Sequence, residues 1–116
     1  MTDKTRPTIT KAERRACFLE GAQDAHYQAY ESIEDCADDG TCNFDMCIFR
    51  KEKFFTEAEY AEIFADAGLS IRKYAKGWFC VNEFHGMAWR NTTFHRTLAR
   101  VLKENGYETS MHYQID

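Results

Sequence analysis

The tightest cluster of residue types that could carry covalent chemistry is Cys80, Glu83 and His85. A cysteine nucleophile needs a base or a positive neighbour that lowers the pKa of its thiol. In an extended strand, however, Cys80 and Glu83 point to opposite faces, because successive side chains alternate. The chain also lacks the GxGxxG, P-loop, GxSxG and HExxH motifs. We therefore expect a protein that is not an enzyme and has no catalytic residues.

Metal binding is the second kind of chemistry that these residue types could support. Cys36, Cys42 and Cys47 lie close together in the sequence, and Cys80 and His85 are further zinc ligands by type. Five and four residues separate the three cysteines, however, and the chain has no Cys-x-x-Cys pair. Cysteines in a chain without a secretory signal favour reduced, buried thiols. We expect no cofactor and no metal, with a zinc-stabilised domain as an alternative.

A line of carboxylates is the third feature. At roughly 100° per residue, a helix over residues 11–37 places its acids within an arc of roughly 100°, opposite an apolar face. No Lys or Arg lies between Arg15 and Arg50, so no neighbour in sequence can neutralise these acids. We call this set the acidic stripe, and its members are Glu20, Asp24, Tyr27, Glu31, Glu34, Asp35 and Asp38.

The acidic stripe has two interpretations. Charge runs are usually solvated faces that keep a protein in solution. A surface of one sign also attracts partners of the opposite sign, and evenly spaced carboxylates can stand in for nucleic-acid phosphates. The hypothesis is therefore a small binding protein that inhibits a basic nucleic-acid-binding protein or nuclease complex. A phage could encode such a product against a host defence nuclease, including CRISPR machinery.

The overall composition limits the other partners. The 116 residues carry a net charge of −4, which disfavours general binding to DNA, RNA or an anionic membrane. No long apolar run is present, and the first ten residues are too polar for a secretory signal. We expect a cytoplasmic protein, in the host cytoplasm if it is phage-encoded, that contacts neither membrane nor nucleic acid directly.

Capping residues predict where the helices that carry these residues begin and end. Thr10 followed by Glu13 predicts a capping box at the start of the long helix over residues 11–37. Thr56 followed by Glu59 predicts the same device for a second helix, which Gly68 ends in the left-handed conformation. On the apolar face of the long helix, we interpret His26 as a hydrogen-bonded core residue.

A third helix is predicted to begin at Thr92 or Thr93 and to end at Gly106. His95 and His112 look like surface residues. Alternation of apolar and polar residues predicts strands near residues 44–49, 69–74, 78–84 and 107–115, with a short strand at 87–90.

Together these elements predict an α+β fold, in which three helices, one of them long, N-terminal and amphipathic, pack on a small, mainly antiparallel sheet of three to five strands. Residues 1–9 are interpreted as a flexible N-terminal arm and residues 10–116 as a single α+β domain.

From Gly68 to the end, seven Lys and Arg residues stand against four acids, and two further hypotheses use this basic C-terminal half. Over residues 56–106, the order helix, three strands, helix is similar to that of double-stranded-RNA-binding domains, with Arg96, Arg100 and Lys103 on the last helix. A small RNA-binding domain is therefore an alternative function. The last hypothesis is a homodimer in which the acidic helix of one copy meets the basic half of another.

Overall fold

The computed structural model describes residues 9–37, 44–86 and 88–113. Seven elements follow one another along these ranges: α1 (Lys11–Ser32), β1 (Met46–Arg50), α2 (Glu57–Asp66), β2 (Ile71–Ala75), β3 (Trp78–Val81), α3 (Ala88–Glu104) and β4 (Thr109–His112). The predicted α+β fold with one long N-terminal helix is confirmed. Within the described ranges, no helix is both long enough and apolar enough to cross a membrane.

The four strands form one antiparallel sheet in the order β2-β3-β1-β4. From β1 onward the elements follow the β-α-β-β-α-β order, in which the two central strands come from different halves of the unit. The strand predicted at residues 78–84 is central, as the sequence indicated, although it ends at Val81. The edges are β2 and β4.

One face of the sheet packs on the helices and forms the core. Phe49 and Phe79 are register partners on β1 and β3, and both are buried. The Phe49 ring stacks on Phe64 of α2 at 4.7 Å between centroids and meets the edge of Tyr107 at 5.6 Å. α1 packs on α3 and α2, and its Phe18 ring lies 4.6 Å from Tyr107. Burial of these aromatic rings supplies much of the hydrophobic stabilisation.

Both predicted capping boxes are present. The Thr10 hydroxyl accepts from the Glu13 N–H at 3.1 Å, and the Glu13 carboxylate accepts from the Thr10 N–H at 3.0 Å. The corresponding distances between Thr56 and Glu59 are 3.2 and 2.8 Å. α2 also closes as predicted, because Gly68 has φ +84°.

The predicted end of α1 at residue 37 is wrong, since the helix ends at Ser32. Arg90, on α3, donates from Nη1 to the carbonyl oxygens of Ile33 at 2.8 Å and Cys36 at 3.1 Å. A cation is favourable at a helix C-terminus, where carbonyls lack helical partners. The guanidinium of Arg90 therefore supplies hydrogen-bond donors that another helical turn would otherwise provide.

The predicted start of α3 at Thr92 or Thr93 is also wrong, because the helix begins at Ala88. Thr92 does not cap the helix; its hydroxyl donates to the Asp45 carboxylate at 2.7 Å, across to the start of β1. Residues 88–90 of the predicted short strand belong to α3, and residue 87 lies outside the described ranges. The similarity in element order to a double-stranded-RNA-binding domain is therefore lost.

Gly21 explains how α1 approaches the end of α3 so closely. It is buried, and a Cβ atom placed on it would lie 2.7 Å from Cβ of Asn105. That separation is far inside van der Waals contact. The glycine is thus required by packing, although glycine weakens a helix by about 1 kcal/mol relative to alanine.

We predict that Gly21→Ala lowers the free energy of unfolding by about 1–2 kcal/mol, because overpacking outweighs the gain in helix propensity. Urea unfolding measures this change. Asn105→Gly removes the opposing Cβ and should rescue the variant, whereas Asn105→Ala keeps the Cβ and should not. Stabilisation by Gly21→Ala alone would contradict the close contact.

Candidate functional site

The structure places the acidic stripe at the surface but not on one unbroken helix. Two members, Glu34 and Asp35, lie in the turn that follows α1, because the helix ends at Ser32. One member, Asp38, lies outside the described residues. The remaining members are exposed on α1, and they are Glu20, Asp24, Tyr27 and Glu31.

The acids of α2 differ from those of the stripe in their pairing. Each carboxylate of α2 contacts a base: Glu57 with Lys73 at 3.6 Å, Glu59 with Lys11 at 2.9 Å, and Glu62 and Asp66 with Arg15 at 2.8 and 2.9 Å. Within the described ranges, the exposed acids of the stripe form no ion pair. The outward side of α1 therefore carries carboxylates that have no ion-pair partner among the described residues.

An open groove of about 510 Å³ lies at the C-terminal end of the stripe. Its walls include Tyr27, Tyr30, Glu31 and Glu34, and both tyrosine rings are exposed. The pKa of Tyr27 is raised, first by a hydrogen bond to Glu31 and then by the negative charge of Glu31 and Glu34. Aromatic faces beside carboxylates attract a cationic side chain through both the ring quadrupole and the charge.

Arg90 also lines this groove, yet one of its nitrogens is committed to the end of α1. The guanidinium binds two carbonyl oxygens there and holds the turn that carries Glu34 and Asp35. These hydrogen bonds stabilise the turn, and the guanidinium also places a positive charge on the wall of the groove.

The cluster of Cys80, Glu83 and His85 is only partly assembled. Glu83 Oε1 lies 3.1 Å from His85 Nε2. Cys80 is fully buried, and desolvation raises the pKa of its thiol. Burial also lowers the pKa of His85, although Glu83 acts in the opposite direction. A neutral, buried thiol is a poor nucleophile.

The cysteines proposed as zinc ligands do not converge where the structure describes them. Cys47 is buried in β1, Cys36 is half-buried after α1, and Cys42 lies outside the described residues. Among the described residues, no group of three or more His, Cys, Asp or Glu side chains could hold a metal ion. The zinc-stabilised alternative stays a hypothesis.

The predicted environment is confirmed for His26 and wrong for His95. His26 is half-buried with Nδ1 2.8 Å from the Ala67 carbonyl oxygen, as expected for a hydrogen-bonded histidine of the apolar face. His95 was expected at the surface but is fully buried. Its Nδ1 accepts from the Cys47 N–H at 3.0 Å, and its Nε2 donates to the Glu83 carbonyl at 2.8 Å.

The tautomer of His95 follows from these two bonds. Desolvation is the main cause that lowers its pKa to about 4, so the ring is neutral at physiological pH. The spacing of residues on α3 could have indicated that His95 is buried. His95 follows Asn91 by four residues and precedes Leu98 by three, and both of these residues are buried. The helical period places all three on one face.

A second surface was missed by the sequence reasoning. The sheet face opposite the helices, which we call the outer sheet face, includes Ile48, Arg50, Arg72, Trp78, Cys80 and His112. A cavity of about 440 Å³ opens at one end of this face, and its walls include Phe44, Asp45, Arg72, Asn82, Glu83 and Phe84. The segments that supply these residues are distant from one another in sequence, and the pairing of β1, β2 and β3 brings them together.

Comparison of the chain with protein-family models, with curated proteins and with solved structures gave no match.

We predict that His95 makes folding sensitive to acid. Its folded-state pKa of about 4 lies below the ordinary value of 6.5. The unfolded chain therefore binds more protons between these values, and stability falls as the pH decreases from about 6.5 to 4, by about 3 kcal/mol in total. Urea unfolding as a function of pH measures the loss.

The control for this prediction is His95→Gln, which is less stable at neutral pH but has no imidazole to titrate. Its stability should fall less steeply over the same pH interval. Because the pKa of His85 is also lowered, only the difference between the two proteins reports on His95. Identical pH profiles would contradict the assignment.

Proposed function

We propose that this chain is a small, non-catalytic binding protein that docks its acidic stripe into the basic groove of a nucleic-acid-binding protein or nuclease complex and thereby inhibits it. The observation that carries the proposal is the contrast in pairing: the α2 carboxylates contact bases, whereas those of the stripe meet no base among the described residues. A basic partner would supply the missing counter-charges.

The spacing of carboxylates along the acidic stripe limits how closely it can mimic the phosphates of a nucleic-acid strand. Glu20 to Glu31 spans roughly 17 Å at 1.5 Å per residue and contains three carboxylates. A nucleic-acid strand of that length carries about five phosphates. The stripe therefore matches a phosphate-binding groove only in part, and an additional anchor is needed for tight binding.

The groove beside Tyr27 supplies this anchor. Tyr27 is 64% exposed, and Glu31 and Glu34 lie on the same groove. An arginine or lysine of the partner could enter between ring and carboxylate and become desolvated there. Aromatic residues with charged neighbours at the centre of an interface commonly dominate its binding energy.

The same features lead us to propose a biological setting for the protein. A small chain with an uncompensated acidic helix suits a phage-encoded, anti-CRISPR-type inhibitor of a host defence nuclease. Such a protein would act in the host cytoplasm and would need neither cofactor nor membrane.

The test is charge reversal at the end of the stripe. We predict that Glu31→Lys, Glu34→Lys and Asp35→Lys together weaken partner binding about a hundredfold, since each reversal loses about 1 kcal/mol or more of attraction. Binding is followed by affinity capture from lysate and by titration with the captured partner. Thermal unfolding of the variant should stay close to that of the native protein.

A control of equal charge reverses three exposed acids elsewhere, Glu62, Glu104 and Glu108, each of which contacts an arginine within the fold, so its thermal unfolding is measured as well. The net charge changes by the same amount, but partner binding should persist. If both triple variants capture the same proteins as the native chain, the acidic stripe is only a solvated face and the proposal fails.

A further inference from the structure

The outer sheet face differs in charge from the rest of the molecule. Antiparallel register partners point to the same face of a sheet. Arg72 pairs with Cys80, and Cys80 pairs with Ile48, so these residues lie opposite the face that packs on the helices. No strand position on this face carries a carboxylate in the described strands, whereas it carries two arginines.

Aromatic side chains extend over this face. Tyr74 lies at the β-bulge of β2, and its hydroxyl is 2.8 Å from Nδ1 of His112 on β4. Because β2 and β4 are the two edges of the sheet, this contact spans both central strands. Trp78 on β3 is half-buried on the same face. Aromatic rings on the face of a sheet form a platform on which planar groups can stack.

The cavity at the end of this face has an aromatic entrance. Phe44 and Phe84 are 41% and 51% exposed, and their ring centroids lie 6.2 Å apart. The volume of about 440 Å³ falls within the range of about 300–1,000 Å³ that is usual for small-molecule sites. Arg72 stands where the cavity joins the sheet face.

Two carboxylates inside the cavity restrict what can enter. Asp45 accepts from Thr92 at 2.7 Å, and Glu83 accepts from the Ser70 N–H at 3.4 Å and lies beside His85. These negative groups exclude a phosphate from the cavity. The Glu83 carboxylate can also accept from an amino group, and the exposed Asn82 amide can donate and accept.

We infer that the outer sheet face binds single-stranded nucleic acid, with one base inserted into the cavity against Phe44 and Phe84. The phosphates of the strand lie outside the cavity, over Arg72 and toward Arg50. Because the polar groups inside are chiefly acceptors, a base with an exocyclic amino group is preferred over uracil.

This site goes beyond the proposed function, lies on a different surface, and departs from the expectation that the chain does not contact nucleic acid directly. The net charge of −4 disfavours broad electrostatic attraction to nucleic acid. Stacking and base contacts must therefore provide most of the affinity, with the two arginines orienting the strand. Arg50 is available for this role, since its contact with Glu108 is long, at 3.9 Å, and exposed.

The experiment uses fluorescence anisotropy with the full chain and labelled RNA of about eight nucleotides, a length within the site sizes of single-strand binders. We expect oligoadenylate and oligocytidylate to bind more tightly than oligouridylate. A duplex should bind weakly, because its bases are not free to insert. Affinity should fall with salt with a slope of about −1.4, as two phosphate contacts require.

Two variants locate the binding. Phe84→Ala should weaken oligoadenylate binding about tenfold, the size of one stacking contact. Arg72→Glu should weaken it by a similar factor and flatten the salt dependence. The matched controls are Tyr27→Ala, an exposed aromatic residue of the acidic stripe, and Lys103→Glu, a charge reversal on α3; neither should change RNA binding.

Several results would overturn the inference: no binding of any oligonucleotide, equal binding of the duplex, preference for uridine, or unchanged affinity in both Phe84→Ala and Arg72→Glu. Binding of adenosine monophosphate as tightly as oligoadenylate would assign the cavity to a free nucleotide and likewise reject a strand site. Because Tyr27→Ala affects only the acidic stripe, failure here is distinguishable from failure of the proposed function.

Discussion

The packing of α1 on α3 is the contact on which the rest of the molecule depends. At one end, Gly21 allows the two helices to approach at Asn105. Nearby, the Tyr107 hydroxyl donates to the Phe18 carbonyl oxygen at 2.8 Å. At the other end, the Arg90 guanidinium binds the carbonyls that follow the helix. These contacts fix the rotation of α1 about its axis and hence decide that the acidic stripe points outward.

Fixing α1 in this way separates the surface into two faces of different chemistry. The carboxylates of α2 form ion pairs within the fold. The exposed carboxylates without such pairs among the described residues therefore lie on α1 and in the turn after it. On the opposite side of the helical layer, the outer sheet face carries arginines and aromatic rings. The proposed attraction of a basic protein to one face and the inferred stacking of bases on the other would use independent residues, so each could be removed by mutation without the other.

Local signals in the sequence were sufficient for the helix starts that use capping boxes and for the exposure of the stripe on α1. They failed where a distant group decides the structure. α1 stops at Ser32 because of Arg90, which lies 57 residues after Ile33. The cavity between Phe44 and Phe84 depends on strand register, which alternation alone does not determine. The prediction that His95 lies at the surface is wrong because the Cys47 N–H and the Glu83 carbonyl, both distant in sequence, satisfy its two ring nitrogens in the interior.

The most direct test of this account is a nitrogen–proton correlation spectrum of the full chain titrated with an arginine-rich peptide. The account predicts saturable shifts of amide signals from Asp24 through Asp35, including those around the Tyr27 groove, that disappear at high salt. Signals from the outer sheet face should stay in place. Shifts spread evenly over both faces, or centred on the sheet, would contradict the claim that the acidic stripe is a distinct surface for a basic partner.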